Sequence, residues 1–259
     1  MSYCRADRIR TCNPLTPQNG GMAPEAHYVA LGDSISIDDY SGGPGRGGAS
    51  LLHRNRDDDF AEWRGRDLLT VDPDTTFSLL ATDGATTRSL LEVQLPRLAA
   101  LTRRPTIVTV TIGGNDLLGA FGDTSAARKV ILRVRNAVAS ALPVIDELLA
   151  PGGRIVLGTV YDPSDGTGDA ARLGLPPWDD AVAVIAELNA SLRSVAGEHG
   201  ATVAEIAERF AGHGLLAGDP TRPEARPAER ALWFCHLIEP NAWGAGGVRA
   251  AFWDAIHDN

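Results

Sequence analysis

The sequence predicts an α/β protein, a three-layer doubly wound domain built on a parallel sheet. Three observations carry that prediction. Strand-like and helix-like segments alternate along the chain, the order that builds parallel βαβ units. The run Tyr28-Val29-Ala30-Leu31 reads as a short buried strand. Three of the strands end in polar segments that contain Gly, as strands of open α/β sheets do where ligands bind outside their carboxyl ends.

Taken in order, the first strand spans about 27 to 33 and turns sharply at Gly32-Asp33-Ser34. A strand near 77 to 81 precedes a helix near 87 to 101, and the apolar stretch 105 to 112 (P-T-I-V-T-V-T-I) is the next strand. A long amphipathic helix over 125 to 149 carries Pro143, which predicts a kink. There follow a strand at 154 to 160, a helix at 179 to 197, a strand at 201 to 206 and a final helix at 244 to 257. Residues 1 to 21 have no periodic apolar pattern and end in turn formers, so they read as an extension, with Met22 an alternative start and 22 to 259 the folded domain. The Pro-rich stretch 219 to 228 reads as a surface loop, and the Gly-rich segment 37 to 59 as a loop over the crevice.

Composition narrows the function. The 259 residues are 44% hydrophobic and 22% charged, the balance of a soluble globular protein with one large core. A formal net charge of −9 opposes attraction to phosphate backbones and anionic membranes, so nucleic acid is not expected as a partner. The arginines, among them Arg54, Arg56, Arg64 and Arg66, lie close to acids such as Asp57 to Asp59 and read as a solvated mixed-charge surface. Cys4, Cys12 and Cys235 make neither a disulfide framework nor a C-x-x-C pair, which fits a reducing compartment. No apolar run approaches the roughly 20 residues of a membrane span, and no signal-peptide pattern opens the chain. A cytoplasmic protein is the expectation; oligomeric state is left open.

The chemistry gathers at the strand ends. Ser34 has two readings from its position, a nucleophile or the cap of a following helix. The segments Thr82-Asp83-Gly84-Ala85-Thr86 and Gly113-Gly114-Asn115-Asp116 should converge with it on one crevice. There the backbone N–H groups of Ser34 and Gly84 and the side-chain amide of Asn115 would offer three donors to a developing oxyanion.

In order, G-D-S-I-S, D-G-A-T-T and G-G-N-D resemble the first three sequence blocks of the SGNH or GDSL hydrolases. The resemblance spans about 27 to 257 and implies a flavodoxin-like α/β esterase or lipase that acts on a small-molecule ester without metal or cofactor. It implies Ser34 as nucleophile and Gly84 and Asn115 as oxyanion donors. The G-x-S-x-G elbow of the α/β-hydrolases is absent, since Ser36 stands where its last Gly would be. The last block departs from the family: Asp-x-x-His-Pro is expected, and His236-Leu237-Ile238-Glu239-Pro240-Asn241 stands there instead.

Three arrangements follow from the swap. In the expected one, His236 takes the Ser34 proton and Glu239 orients its imidazole, because a base with the pKa of His suits neutral pH better than a carboxylate near about 4.3. In the second, Glu239 stands nearest Ser34, or His53 enters from a loop. In the third, the site binds a ligand without catalysis. His236 packed beside Trp233 and Phe234 is the plain structural alternative. Pro240 suits the first turn of the last helix and Asn241 its cap or the site wall. Asp33, Asp38 and Tyr40 are candidate substrate contacts, and the loops 37 to 66 and 161 to 178 are expected to select the substrate. Cys235 beside His236 carries little weight as a thiol nucleophile, since adjacent residues do not usually face each other.

Two competing signals are weaker. Gly43-x-Gly45-x-x-Gly48 spells a dinucleotide fingerprint with Glu62 downstream, but Gly43 lies well past the end of the first strand. His53 with Asp57 to Asp59, or His236 with Glu239, lacks the spacing of a metal helix or a calcium loop.

Overall fold

The computed structural model describes residues 26–217 and 232–257. The extension at 1 to 21, the start at Met22, the loop at 219 to 228, Cys4 and Cys12 lie outside those residues. The chain runs β1 (His27–Gly32), α1 (Gly48–His53), a 3-10 turn (Ala61–Trp63), α2 (Leu68–Val71) and β2 (Thr76–Leu79). It continues through α3 (Thr87–Ser89), a π-helical turn (Leu90–Gln94), α4 (Leu95–Ala99), β3 (Ile107–Thr111), α5 (Gly114–Leu118) and α6 (Thr124–Leu148). Then come β4 (Arg154–Gly158), a 3-10 turn (Ala170–Leu173), α7 (Ala181–Glu198), β5 (Thr202–Ala204), α8 (Ile206–Phe210), the hairpin β6 (Phe234–Cys235) and β7 (Glu239–Pro240), and α9 (Ala242–His257).

Strands β1 to β5 form one parallel sheet in the order 2-1-3-4-5, with Val29 opposite Ser78 on one side and Val108 on the other. This is the flavodoxin-like order, in which the direction of strand addition reverses between β1 and β3. Alternate residues of β1 supply the two outer layers, as strand geometry requires. Val29 and Leu31 pack with Val108, Val110, Val134 and Leu188 under the α4, α6 and α7 side, while Tyr28 and Ala30 pack with Ala49, Phe210 and Phe252 under the α1, α8 and α9 side. The predicted three-layer doubly wound domain is therefore the fold of the described residues, and Pro143 lies inside an α6 that runs on past it.

The segment 37 to 59 differs from the expected loop. It carries α1, whose Gly48, Ala49, Ser50, Leu51 and Leu52 are all buried. No amphipathic period marks so short a helix, and tertiary packing forms it instead. A Cβ on Gly48 would stand 2.6 Å from Val248 of α9, so the bare Gly backbone lets the two helices meet.

The helix predicted over 87 to 101 contains the π turn at Leu90–Gln94. Its extra residue aims Gln94, fully buried, at the last residue of β1. Gln94 Oε1 accepts from Gly32 N at 2.7 Å and Gln94 Nε2 donates to Gly32 O at 2.8 Å. A side-chain amide thus completes the hydrogen bonding where β1 ends. Gln94→Leu would strand the buried Gly32 N–H, while Gly32 O keeps its bond from Thr82 N at 3.0 Å, and we expect a loss of roughly 1 to 3 kcal/mol in urea unfolding; no measurable loss would show that water replaces the amide.

Candidate active site

β1 ends in a turn that only glycine can make. Gly32 has φ 120°, and a Cβ there would lie 1.9 Å from the carbonyl oxygen of Thr111 on β3. Asp33 N then donates to that same carbonyl at 3.0 Å, so the chain crosses onto β3 as it leaves the sheet. Asp33 Oδ1 accepts from Ile35 N at 3.2 Å, Asp33 O accepts from Ser36 N at 3.1 Å, and the Ser36 and Thr111 hydroxyls meet at 2.9 Å. Ser34 is held at the tip of this turn. No helix begins until Gly48, so Ser34 is not an N-cap and its hydroxyl is free to face the crevice.

The other two strand ends converge on it. Gly84 sits in an exposed turn at φ 65°, and Gly113 at φ 105° starts α5, whose first turn carries Asn115. Asn115 Nδ2 donates to Ala85 O at 3.0 Å. An amide nitrogen has two donors, so one N–H remains for a ligand. Asp116 accepts from Thr87 N at 2.9 Å and from the Thr87 hydroxyl at 2.6 Å, which ties the two segments together behind the site.

The last block forms a hairpin, a feature absent from the sequence expectation of a turn before a helix. Cys235 pairs with Glu239 across β6 and β7, and the loop between them takes His236 to φ 45° and Leu237 to φ 75°. Such left-handed residues cost about 1 kcal/mol or more each and persist where the surroundings dictate them. Tyr161 OH donates to Ile238 O at 2.6 Å, and Asn241 Oδ1 accepts from Trp243 N at 2.9 Å and Gly244 N at 3.1 Å. Asn241 is thus the cap of α9, and Pro240 ends β7 instead of opening the helix.

This hairpin sets the acid and the imidazole apart. The Glu239 carboxyl group lies near the Ser34 hydroxyl, which favours its charged form, and its Oε2 is buried with no partner among the described residues. His236 is exposed; its ring lies 5.8 Å from that of Tyr40, and it does not line the cleft that Ser34 and Glu239 share. The geometry expected first, with His236 on Ser34 and Glu239 behind it, is not the one found. The left-handed turn at 236 and 237 swings the imidazole outward while the β7 pairing keeps Glu239 inward. His53 is not at the site either: it stacks on Phe77 at 5.0 Å, with Nε2 3.1 Å from Thr75 O.

Burial dominates the electrostatics. It raises the Glu239 carboxyl above its ordinary 4.5; the Ser34 hydroxyl and the nearby His236 oppose the rise, and Asp83 adds to it. Asp33 is buried beside it and is pushed up to about 7, with its bonds to Thr111 and the Ile35 N–H opposing and Glu239 adding. Tyr40 has its phenol raised, by burial first, with the nearby Asp83 adding.

Of the candidate substrate contacts, Asp33 lines the cleft. Asp38 is engaged elsewhere: its Oδ2 accepts from Gly45 N at 2.9 Å and its Oδ1 from Gly47 N at 2.7 Å. Tyr40 stands at the mouth with Asp83 and His236. Those two bonds also account for the dinucleotide spelling, whose amides cradle the chain's own carboxylate. Asp57 pairs with Arg64, and Asp59 with Arg46 and Arg56, as a mixed-charge surface should. Among the described residues no group of three or more His, Cys, Asp or Glu side chains could hold a metal. Gln94, Thr111 and Tyr161 escaped the sequence reading; Tyr161 alone had a signal, its place at the end of a predicted strand.

The cleft lies at the carboxyl ends of β1, β3 and β4, and Asp33, Ser34, Asn115 and Glu239 are among its lining residues. A serine at the switch point of a flavodoxin-like sheet, with a carboxyl group near its hydroxyl, defines an α/β protein of the hydrolase class. The chain belongs to the GDSL-like lipase/acylhydrolase family, whose model matches residues 30–244. Among solved structures it resembles phospholipase A1 from Streptomyces albidoflavus (20% identity, 89% of this chain and 99% of that one, TM-score 0.57). It also resembles an extracellular lipase from Streptomyces rimosus (23%, 89% and 99%, 0.52) and an acetyl xylan esterase from Geobacillus stearothermophilus (15%, 90% and 95%, 0.56). At these identities the likeness is one of fold. Comparison with curated proteins finds no match.

The raised Asp33 carboxyl sets a pH dependence of stability. Between its ordinary 3.8 and about 7 the folded state holds a proton that the unfolded chain releases, so stability falls as pH rises through that window. The slope is at most about 1.4 kcal/mol per pH unit. We expect Asp33→Asn to flatten this fall in unfolding measured from pH 4 to 8; an unchanged slope would place the titration elsewhere.

Proposed function

We propose that the protein is a serine hydrolase of carboxylic esters, with Ser34 as nucleophile and Glu239 as the group that takes its proton. The observation that carries the reading is that Ser34, Glu239 and Asn115 line one cleft, with the Ser34 hydroxyl close enough to Glu239 to favour its charged form. A serine hydroxyl needs a base, and an upward-shifted carboxyl group is a better one at neutral pH than an ordinary carboxylate.

In this mechanism Ser34 Oγ bonds to the ester carbonyl carbon as its proton passes to Glu239. The Ser34 and Gly84 N–H groups and the Asn115 amide hold the resulting oxyanion. The ester C–O bond then breaks, and the leaving alcohol takes the proton from Glu239. Water attacks the acyl-Ser34 carbonyl with Glu239 again accepting its proton; the acid departs and Ser34 regains its hydrogen. His236 favours the charged form of Glu239 through its own charge and stands on the open side. Asp33 holds the turn that presents Ser34.

A second reading, a ligand-binding module, draws on one observation: the imidazole that a serine hydrolase ordinarily uses is turned away from the cleft.

With p-nitrophenyl butyrate, Ser34→Ala should abolish turnover and labelling by a fluorophosphonate; turnover at the wild-type rate in that variant would end the serine mechanism. Glu239→Gln should lower kcat by about 10²–10⁴-fold and remove the acid limb of the pH profile, while His236→Gln should keep that limb. The reverse pattern would make His236 the base. A wild type that neither turns over esters nor takes the label supports the binding module.

A further inference from the structure

A base must stay where its proton is, and Glu239 is carried by a strained loop. The residues three and two places before it, His236 at φ 45° and Leu237 at φ 75°, take left-handed backbone without being glycine. Within the loop, Ile238 N donates to His236 O at 3.0 Å, which closes the turn on itself. From outside the hairpin, the Tyr161 hydroxyl donates at 2.6 Å to Ile238 O, the carbonyl of the peptide that leads into Glu239. We propose that Tyr161 is a positioning residue for the reaction: its hydroxyl, through the Ile238 carbonyl, holds the His236–Leu237 turn in its strained form and so keeps Glu239 turned toward Ser34. The proposal rests on Glu239 being the base of the Ser34 reaction.

The hydroxyl is fixed from the sheet side. Tyr161 follows β4, and the residue before it is clamped at both backbone groups: Val160 N donates to Asn189 Oδ1 at 2.7 Å and Val160 O accepts from Asn189 Nδ2 at 2.7 Å. Asn189 is a buried residue of α7, so the clamp ties the end of β4 to a long helix. The Tyr161 ring is buried, stacks on Phe210 at 4.6 Å and meets Phe234 of β6 edge to face at 5.0 Å. Backbone and ring are thus settled before the hydroxyl meets Ile238. A phenol has one proton to give, and the Ile238 carbonyl engages it, so Tyr161 does not act as a donor to substrate. Burial keeps the phenol neutral, with its pKa raised well above the ordinary range and Glu239, Asp33 and Cys235 adding to the rise.

Removing that one oxygen isolates the effect. Tyr161→Phe keeps both ring contacts, and it changes no charge because the phenol is neutral. The turn is then held by the β6–β7 pairing and its own His236–Ile238 bond alone against the strain. A loop that relaxes carries Glu239 toward water, and the burial that raises its carboxyl is lost. The titratable groups that act on Glu239 or feel its charge are Asp33, Tyr40, Asp83, Tyr161, Cys235 and His236. The substitution alters the charge of none of them, so a fall in the Glu239 pKa reads its displacement.

The test compares the wild type, Tyr161→Phe, and Tyr161→Phe combined with Leu237→Gly, since Leu237 is exposed and glycine takes left-handed backbone without steric cost. In a carboxyl-carbon NMR titration, the Glu239 signal, assigned by its loss in Glu239→Gln, should titrate at lower pH in Tyr161→Phe and return in the combined variant. With p-nitrophenyl butyrate, Tyr161→Phe should lower kcat about 10- to 100-fold and leave KM within about twofold of the wild type. Its acid limb should move to lower pH with the NMR titration, and the combined variant should recover most of the lost kcat. A uniform loss of folded protein would lower kcat at every pH and move neither the limb nor the titration. A Tyr161→Phe that leaves both in place, whatever its kcat, or a combined variant no better than the single one, would overturn the proposal. If Glu239→Gln keeps the wild-type kcat, the base reading fails instead. The NMR titration needs no turnover and then decides by itself: a Glu239 signal that moves in Tyr161→Phe sustains Tyr161 as the group that places this carboxyl, and one that does not removes it.

Discussion

The structure depends on how β1 stops. Gly32 brings its backbone so near Thr111 that no side chain fits, and the amide of Gln94 satisfies both of its backbone polar groups. A strand that ends inside a sheet must place its last N–H and C=O somewhere, because burying them unpaired is costly. Here they are answered by Gln94 of the π turn in the β2–β3 connection and, for the carbonyl, also by Thr82 N, so Ser34 leaves the sheet along a single path. Asp33 N on Thr111 O fixes the next residue as firmly. Everything at the site is measured from that turn.

Around it the protein holds two carboxyl groups away from water. Burial raises the proton affinity of both, and Glu239 raises that of Asp33 further. A core of Val, Leu and Ile would be more stable, and the unpaired Oε2 of Glu239 marks where stability yields to a poised acid. The hairpin that delivers Glu239 carries its own strain in His236 and Leu237, held down by Tyr161 and by the Asn241 cap.

Much of this was legible in the residues. The alternating strands and helices gave the three-layer sheet, since the apolar pattern of buried strands and amphipathic helices is local. The chain after Gly32 and the segment Gly114 to Asn115 both line the cleft, and the segment around Gly84 is tied to the latter through Ala85 and Thr87, because strand ends of a parallel sheet lie along one edge. The short helix α1 escaped because its six residues are stabilised by α9, almost 200 positions downstream. Gln94 escaped for the same reason: nothing in a glutamine within a helical stretch tells which carbonyl it will meet.

The order of His236 and Glu239 is where sequence and structure part. The sequence by itself determined the sheet, the strand ends along its edge, Ser34 at the first of them and the two groups in the last block. It did so because secondary-structure period and turn chemistry act over a few residues. Which of the two groups meets Ser34 was decided by the tertiary structure. The β6–β7 pairing turns Glu239 inward, and the left-handed residues between the strands turn His236 outward. That choice rests on contacts with Tyr161 and α9, which lie far apart along the chain.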